Sequence, residues 1–170
     1  AVAGELVISA TRSGEVIAVN RVSGHLVWTV DLRSLIYASP VVGDGTVYIG
    51  SGASKLFAID VLTGDLRWEA RTRDWVVAPA AYSGSTVVVA SQGKVVDIFD
   101  TKNGRRRLKY NTGKVRFGGA PLIQGDLAYF SSDGGVVWAI ARNAQTFPTE
   151  RFLIHAKKNL KVWQLLSSRP

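Results

Sequence analysis

The stretch AIDVLTGDLRW, residues 58–68, brings a carboxylate, a hydroxyl and an indole close together. A carboxylate beside a hydroxyl can hold a hard cation or accept a proton, and an indole can stack on a flat ligand. The same types in the same order also permit a purely structural use. The Asp60 carboxylate can accept N–H bonds from the residues two and three positions on, which fixes a turn. Thr63 adds a hydroxyl to that turn, and Gly64 supplies the positive φ that a tight reversal needs. Ala58 leaves room for a neighbour, and Trp68 then falls on the following strand, where its ring can pack across a gap. AVNRVSGHLVW (18–28) repeats the pattern with Ala18, Asn20, Ser23, Gly24 and Trp28, and IFDTKNGRRRL (98–108) repeats it with Asp100, Gly104 and Leu108. Gly24, Gly64 and Gly104 are 40 residues apart in each step. The structural use accounts for every position of the motif.

Little other chemistry is on offer. With no cysteine, disulfides, thiolate nucleophiles and sulfur-ligated metals are excluded. His25 follows a turn glycine and His155 lies near the C-terminus, and neither has the spacing of a metal site or a triad. The remaining acids fall mostly among glycine and serine, as in GDG (43–45) and SDGG (132–135), where turn chemistry explains them. The glycine-rich runs join strand to strand, so no helix N-terminus is present to hold a phosphate. No catalytic residue, metal ligand or cofactor is expected.

The elements that carry the motif follow from the period. After Pro40 come VV, GDG, TVYIGS, GAS, KLFAID, VLTGD and LRWEA: four short β-rich runs divided by turns. The second and third runs are apolar at nearly every position, as in TVVVAS, which marks strands covered on both faces. A small residue and a proline recur at Ser39-Pro40, Ala78-Pro79 and Ala120-Pro121. A four-stranded antiparallel unit of this length, packed between like units, is a β-propeller blade. The chain is therefore expected to be all-β, with blades over 1–39, 40–78, 79–120 and 121–170, the last irregular. In that blade RNAQTFPTERF (142–152) lacks the Thr-Gly turn and its tryptophan, so Trp163 is read as the displaced fourth-strand residue after an insertion. A short helix over KKNLKVWQLL is the alternative. Four blades either close on themselves or form part of a seven- or eight-bladed ring, paired with further blades or a second copy. A sequence with no methionine and no leader-like start is expected to be a processed form or a piece of a longer chain. Its apolar runs are too short for a spanning helix.

The motif resembles the tryptophan-docking repeat of the pyrroloquinoline-quinone-like β-propeller family, A-x-D-x-x-T-G-x-x-x-W. Ala58, Asp60, Thr63, Gly64 and Trp68 match it in full; Ala18, Gly24 and Trp28 match with Asn20 and Ser23 as close substitutes; Asp100 and Gly104 match while Leu108 replaces the tryptophan. The resemblance covers residues 1–141 and implies tryptophans that lock adjacent blades together. One branch of the family contains quinoprotein dehydrogenases that hold the quinone and calcium, commonly with vicinal cysteines, which are absent here. The other branch consists of binding scaffolds, among them a propeller lipoprotein of outer-membrane β-barrel assembly. The resemblance also implies export, and so a periplasmic or extracellular address.

Function is then expected where the repeats differ. RTRDW supplies Arg71, Arg73, Asp74 and Trp75, and KVRF supplies Lys114, Arg116 and Phe117. Both runs join a fourth strand to the next first strand and should open on one face. Mixed arginine and aromatic residues suit contacts with a protein partner, although Trp75 and Phe117 would equally serve to plug the space between blades. A second reading uses charge. Residues 1–85 hold 7 Lys/Arg and 8 Asp/Glu, whereas residues 86–170 hold 14 and 5. RRRLK (105–109) and KKNLK (157–161) in that basic half would attract nucleic acid or an anionic surface, but no stacking aromatics are interleaved with them.

Overall fold

The computed structural model describes residues 1–113, 116–117, 119–132, 136–142 and 152–155, the last group and residue 136 by backbone alone. Its strands fall into four antiparallel sheets of four, each in chain order. Blade 1 contains β1 (Val2–Ala3), β2 (Leu6–Ala10), β3 (Glu15–Asn20) and β4 (Leu26–Asp31). Blade 2 contains β5 (Val41–Gly43), β6 (Thr46–Gly50), β7 (Lys55–Asp60) and β8 (Leu66–Arg71). Blade 3 contains β9 (Ala81–Ser83), β10 (Thr86–Ser91), β11 (Val95–Asp100) and β12 (Arg106–Asn111). Blade 4 contains β13 (Leu122–Gln124), β14 (Leu127–Ser131), β15 (Val136–Ala141) and β16 (Phe152–His155). The expected all-β propeller architecture is what the chain adopts.

The apolar strands earn their composition from this stacking. Every residue of β6 and β10 is buried, because blades 2 and 3 have neighbours on both sides. Between blades 1 and 2, Ile8, Val16 and Trp28 meet Val47, Ile49 and Phe57. Tyr48, Leu56 and Val76 meet Val87, Val89 and Phe99 at the next joint, and Val88, Ile98 and Phe117 meet Ala128, Phe130 and Ile140 at the third. The short first strands β5, β9 and β13 lie beside one another. The fourth strands form the opposite edge of each sheet.

The repeated turn does what its residue types require. Asp60 Oδ1 accepts the N–H groups of Leu62 and Thr63 at 2.8 and 3.0 Å. Asn20 does the same for Val22 and Ser23, and Asp100 for Lys102. Gly24, Gly64 and Gly104 have φ of 71°, 79° and 68°. Ala18 and Ala58 stand directly across from Trp28 and Trp68 of their own blades, and a β-bulge follows each pair. The bulge increases local twist and turns the outer strand. Each ring then lies over the turn of the following blade. Trp28 Nε1–H donates to the Val61 carbonyl at 3.0 Å, and Trp68 Nε1–H donates to that of Thr101 at 2.9 Å. A Cβ on Gly64 would stand 2.9 Å from the Trp28 ring, and one on Gly104 2.6 Å from that of Trp68. These glycines are needed twice over, for φ and for the close approach of an indole.

Blade 3 solves the same joint with other residues. Ile98 replaces the alanine opposite Leu108, so bulk moves from the outer strand to the third. The hydrogen bond to the next blade passes to Tyr110, whose hydroxyl donates to the Ala141 carbonyl at 2.9 Å. Arg142 ties blade 4 back, donating to Thr86 Oγ1 at 2.7 Å and to the Gly125 carbonyl at 2.6 Å.

Two sequence expectations need correction. In blade 4 the residue opposite Ala139 is Phe152, so register gives Phe152, not Trp163, the place that Trp68 holds opposite Ala58. Trp68 comes eight positions after Asp60 and Phe152 eleven after Ala141, so in sequence this register position falls three residues later in blade 4. Trp163 and the alternative helix lie outside the described residues. The proline marker also slips. Val41, Ala81 and Leu122 are equivalent in register, which makes Ala80, not Pro79, the counterpart of Pro40 and Pro121.

Candidate interaction surface

The connections from one blade to the next run along the end of the sheets that carries the hairpins between second and third strands. In the first, Ile36 N–H donates to the Arg12 carbonyl at 3.2 Å and Gly52 N–H to that of Leu35 at 2.8 Å. In the second, Val76 N–H donates to the Ser51 carbonyl at 3.1 Å and Gln92 N–H to that of Trp75 at 2.9 Å. In the third, Phe117 bridges to Ser132. Each connection is therefore pinned to the hairpin of its own blade, of the next, or of both, and its backbone is held rather than left to wander.

Sequence position along these loops decides which side chains are spent on folding. Ile36, Val76 and Phe117 all point inward and are buried. The residue before each, namely Leu35, Trp75 and Arg116, faces out. Phe117 is 1 % exposed and packs on Phe130 and Trp138 at centroid distances of 5.3 and 6.3 Å. It plugs the joint between blades 3 and 4, the second of the two roles its sequence allowed, and is not an exposed contact. The third connection is one residue longer than the others, and this shift sets Phe117 level with Val76. Lys114 lies outside the described residues.

Trp75 has the other fate. It is 49 % exposed, and its ring stacks on that of Tyr37 at 6.2 Å with planes 13° apart. The Arg12 guanidinium sits over the other ring, 5.3 Å from the Tyr37 centroid. Tyr37 and Leu35 are 38 % and 48 % exposed. An arginine, a tyrosine and a tryptophan from three separate segments thus form one exposed ladder. Leu35, Tyr37 and Arg12 were missed in the sequence because they fall in repeat 1, whose loop DLRSLIYASP carries no unusual cluster. Asp74 caps this loop, accepting the N–H of Trp75 at 2.8 Å. Arg71 and Arg73 are exposed, and the Arg71 carbonyl receives Arg106 Nη2–H from blade 3.

The basic run RRRLK lies at the opposite end of the sheets and is largely used internally. Arg107 pairs with Asp100, as Arg67 pairs with Asp60 at 2.7 Å. Hydrogen bonds from Arg67, then from the N–H groups of Leu62 and Thr63, lower the Asp60 carboxyl to about 2. Arg106 pairs at 2.8 Å with Asp97, which is fully buried. Burial pushes the Asp97 carboxyl above its ordinary value, against the pull of Arg106 and Lys109. Asp97 was expected to serve a turn. It lies within β11 at the position that Phe57 holds in β7, and Arg106 holds the place of Leu66. A buried carboxylate, paired with an arginine, has replaced an apolar side chain at this register of the blade. KKNLK lies outside the described residues.

Among the described residues, no three His, Asp or Glu side chains gather where a metal could sit. Asp31, Asp60, Asp74 and Asp100 each accept backbone N–H groups in turns. No helix among the described residues is long and apolar enough to cross a membrane.

Comparison with known proteins agrees with the geometry. A family model described as outer membrane protein assembly factor BamB matches residues 1–145. The BamB of Legionella pneumophila (strain Paris) is 39% identical over 56 residues, covering 33% of this chain and 15% of that protein. The crystal structure of BamB from Moraxella catarrhalis superposes with a TM-score of 0.77 at 25% identity, covering 84% of this chain and 44% of that one. The computationally designed Ika4 protein superposes at 0.75 with 16% identity, covering 84% of this chain and 88% of its own, which bears on fold alone. The matched part of this chain thus covers less than half of each of these BamB proteins. Four stacked antiparallel blades, the repeated turn and the match over residues 1–145 together establish that the chain belongs to the BamB family of PQQ-type repeat proteins.

Proposed function

We propose that this chain is a non-catalytic scaffold that binds a protein partner through its inter-blade loops, in the service of outer-membrane protein assembly. The observation that carries the reading is the exposed Tyr37–Trp75 stack, held on loops whose backbones are already pinned. Aromatic side chains exposed side by side mark interaction sites, and a rigid loop loses little entropy when a partner covers it. The candidate contacts are Arg71, Arg73, Trp75 and Arg116, joined by Arg12, Leu35 and Tyr37. Asp74 acts as the cap that presents Trp75. Tryptophans 28 and 68 serve as docking residues that keep the loops in register. The relatives' name supports the assembly role and a periplasmic address beside the outer membrane. The blades belong to a larger ring, in keeping with the 44% of the Moraxella chain that they cover.

The test uses a photo-crosslinking amino acid placed at Trp75 and, separately, at Leu62, which is exposed at the opposite end of the sheets. In a Gram-negative host producing the chain, position 75 is expected to form an adduct with a component of outer-membrane protein assembly, and position 62 none. Adducts from position 62 alone would sink the reading.

A further inference from the structure

We infer that the segment seated on the Tyr37–Trp75 face is acidic, with carboxylates meeting the guanidinium groups around the ladder and an apolar side chain lying on the rings. This rests on the reading of that face as a protein-binding surface. At the opposite end of the sheets several arginines are used inside the fold: Arg67 on Asp60 and Thr46, Arg107 on Asp100 and Ser85, Arg142 on Gly125, Ser83 and Thr86. Arg21 and Arg105 stay exposed at that end, away from the Tyr37–Trp75 ladder.

The loop face differs in joining free arginines to exposed rings. Arg12, Arg33, Arg73 and Arg116 are exposed, and among the described residues none of them has a carboxylate within salt-bridge distance. The acids that share these loops have local partners: Asp31 Oδ1 accepts the Arg33 N–H at 2.8 Å, Asp74 Oδ1 accepts that of Trp75 at 2.8 Å, Glu15 accepts the Thr29 hydroxyl at 3.1 Å, and Glu69 holds Lys55 at 2.8 Å. Arg12 lies on the ladder itself, and Arg33, Arg73 and Arg116 stand on the connecting loops that carry it. Arg12 already rests on Tyr37, so its guanidinium is oriented before a ligand arrives. Guanidinium groups favour planar carboxylates, which they can bind through two parallel N–H donors. Complementary charge speeds and orients encounter, while the apolar contact holds the complex. A basic segment would meet repulsion here.

The test uses the purified full chain and two short fluorescent peptides, one alternating glutamate with leucine and one alternating lysine with leucine, followed by anisotropy. The acidic peptide is expected to bind at least about tenfold more tightly than the basic one, and to weaken by about tenfold or more between roughly 50 and 300 mM salt. Reversing charge at Arg12 and Arg73 together, Arg12→Glu and Arg73→Glu, is expected to weaken it a further tenfold or so while leaving the unfolding midpoint in place, since both side chains are exposed. Trp75→Ala should weaken both peptides. Equal binding of the two peptides, no binding of the acidic one, or indifference to the charge reversal overturns the inference. Tighter binding of the basic peptide, lost in Trp75→Ala, would overturn the acidic partner while leaving the protein-binding face intact. A single-stranded oligonucleotide that binds as tightly as the acidic peptide, through the same arginines, also overturns it.

Discussion

Removing Arg106 leaves Asp97 as a buried carboxylate without its cation, and the repeat itself supplies the control. At the equivalent registers blade 2 carries Phe57 and Leu66, so the double variant Asp97→Phe with Arg106→Leu installs residue types that the repeat already holds at those two positions. Breaking a buried ion pair from one side costs about 3 to 5 kcal/mol, whereas replacing both partners by apolar residues is often neutral. Arg106 keeps 37% of its side chain in water, so the lower end applies and Arg106→Leu should cost about 3 kcal/mol. Part of that is the bond to the Arg71 carbonyl and the stacking on Phe99, about 1 kcal/mol together. The double variant should fall within about 1 kcal/mol of the parent. Urea unfolding at pH 7 and pH 5, arranged as a double-mutant cycle, measures the coupling. Because burial raises the Asp97 carboxyl in the fold, the native state takes up a proton before the unfolded chain does, and this contribution grows more favourable as pH falls through the folded value. The loss in Arg106→Leu should therefore be smaller at pH 5 than at pH 7, and the double variant should show no such difference. A double variant as unstable as the sum of its singles, at both pH values, would refute the pairing.

Trp28→Leu should cost about 3 kcal/mol, some 2 from the cavity and about 1 from the Val61 carbonyl left without a donor, and adding Ala18→Ile should restore part of it, because blade 3 packs Ile98 against Leu108. Unfolding midpoints measure both effects, and no recovery in the pair would contradict the exchange of bulk seen in blade 3. Alanine at Gly24 should cost only the about 1 kcal/mol of its positive φ, while alanine at Gly64 or Gly104 should cost about 1 to 3 kcal/mol more from collision with a tryptophan ring; thermal melts of the three variants rank them directly. Arg67→Leu should raise the Asp60 carboxyl from about 2 towards its ordinary value, read by NMR titration. The parent should lose that carboxylate's contribution as pH falls from about 4 to 2, and the variant should have less to lose.

The repeated turn was legible from sequence because its physics is local. A carboxylate two residues before an N–H, and a glycine where φ must be positive, act within one short segment, so Asp60 and Gly64 could be assigned before any packing was known. The joints were less legible because their partners lie a repeat away. Asp97 stood among acids assigned to turns, although the step of 40 residues back to Phe57 carried the signal that it lies inside a strand. Phe117 was left between contact and plug because a single-residue lengthening of its loop decides which way the position faces. Trp163 drew attention as an indole where an indole was wanted, yet the small Ala139 opposite Phe152 was the better guide to register. The exposed ladder escaped notice because Arg12, Tyr37 and Trp75 come from three segments, and none of them is unusual alone.

Each of the first two blades hands the indole of its fourth strand forward to the turn of the next. Gly64 and Gly104 receive one, while Gly24, with the same turn, has nothing within 4 Å of its Cβ position. The stack therefore has a direction, like a row of hooks and eyes, with an open eye on blade 1. Units joined this way can meet only head to tail. Such contacts are heterologous, and they generate closed rings or open helical arrays, not the two-fold pairs in which a surface meets its own copy. The order of assembly in this fold is thus written into a glycine that could hold a ring and a carbonyl, that of Arg21, in the place where Val61 accepts its bond from Trp28.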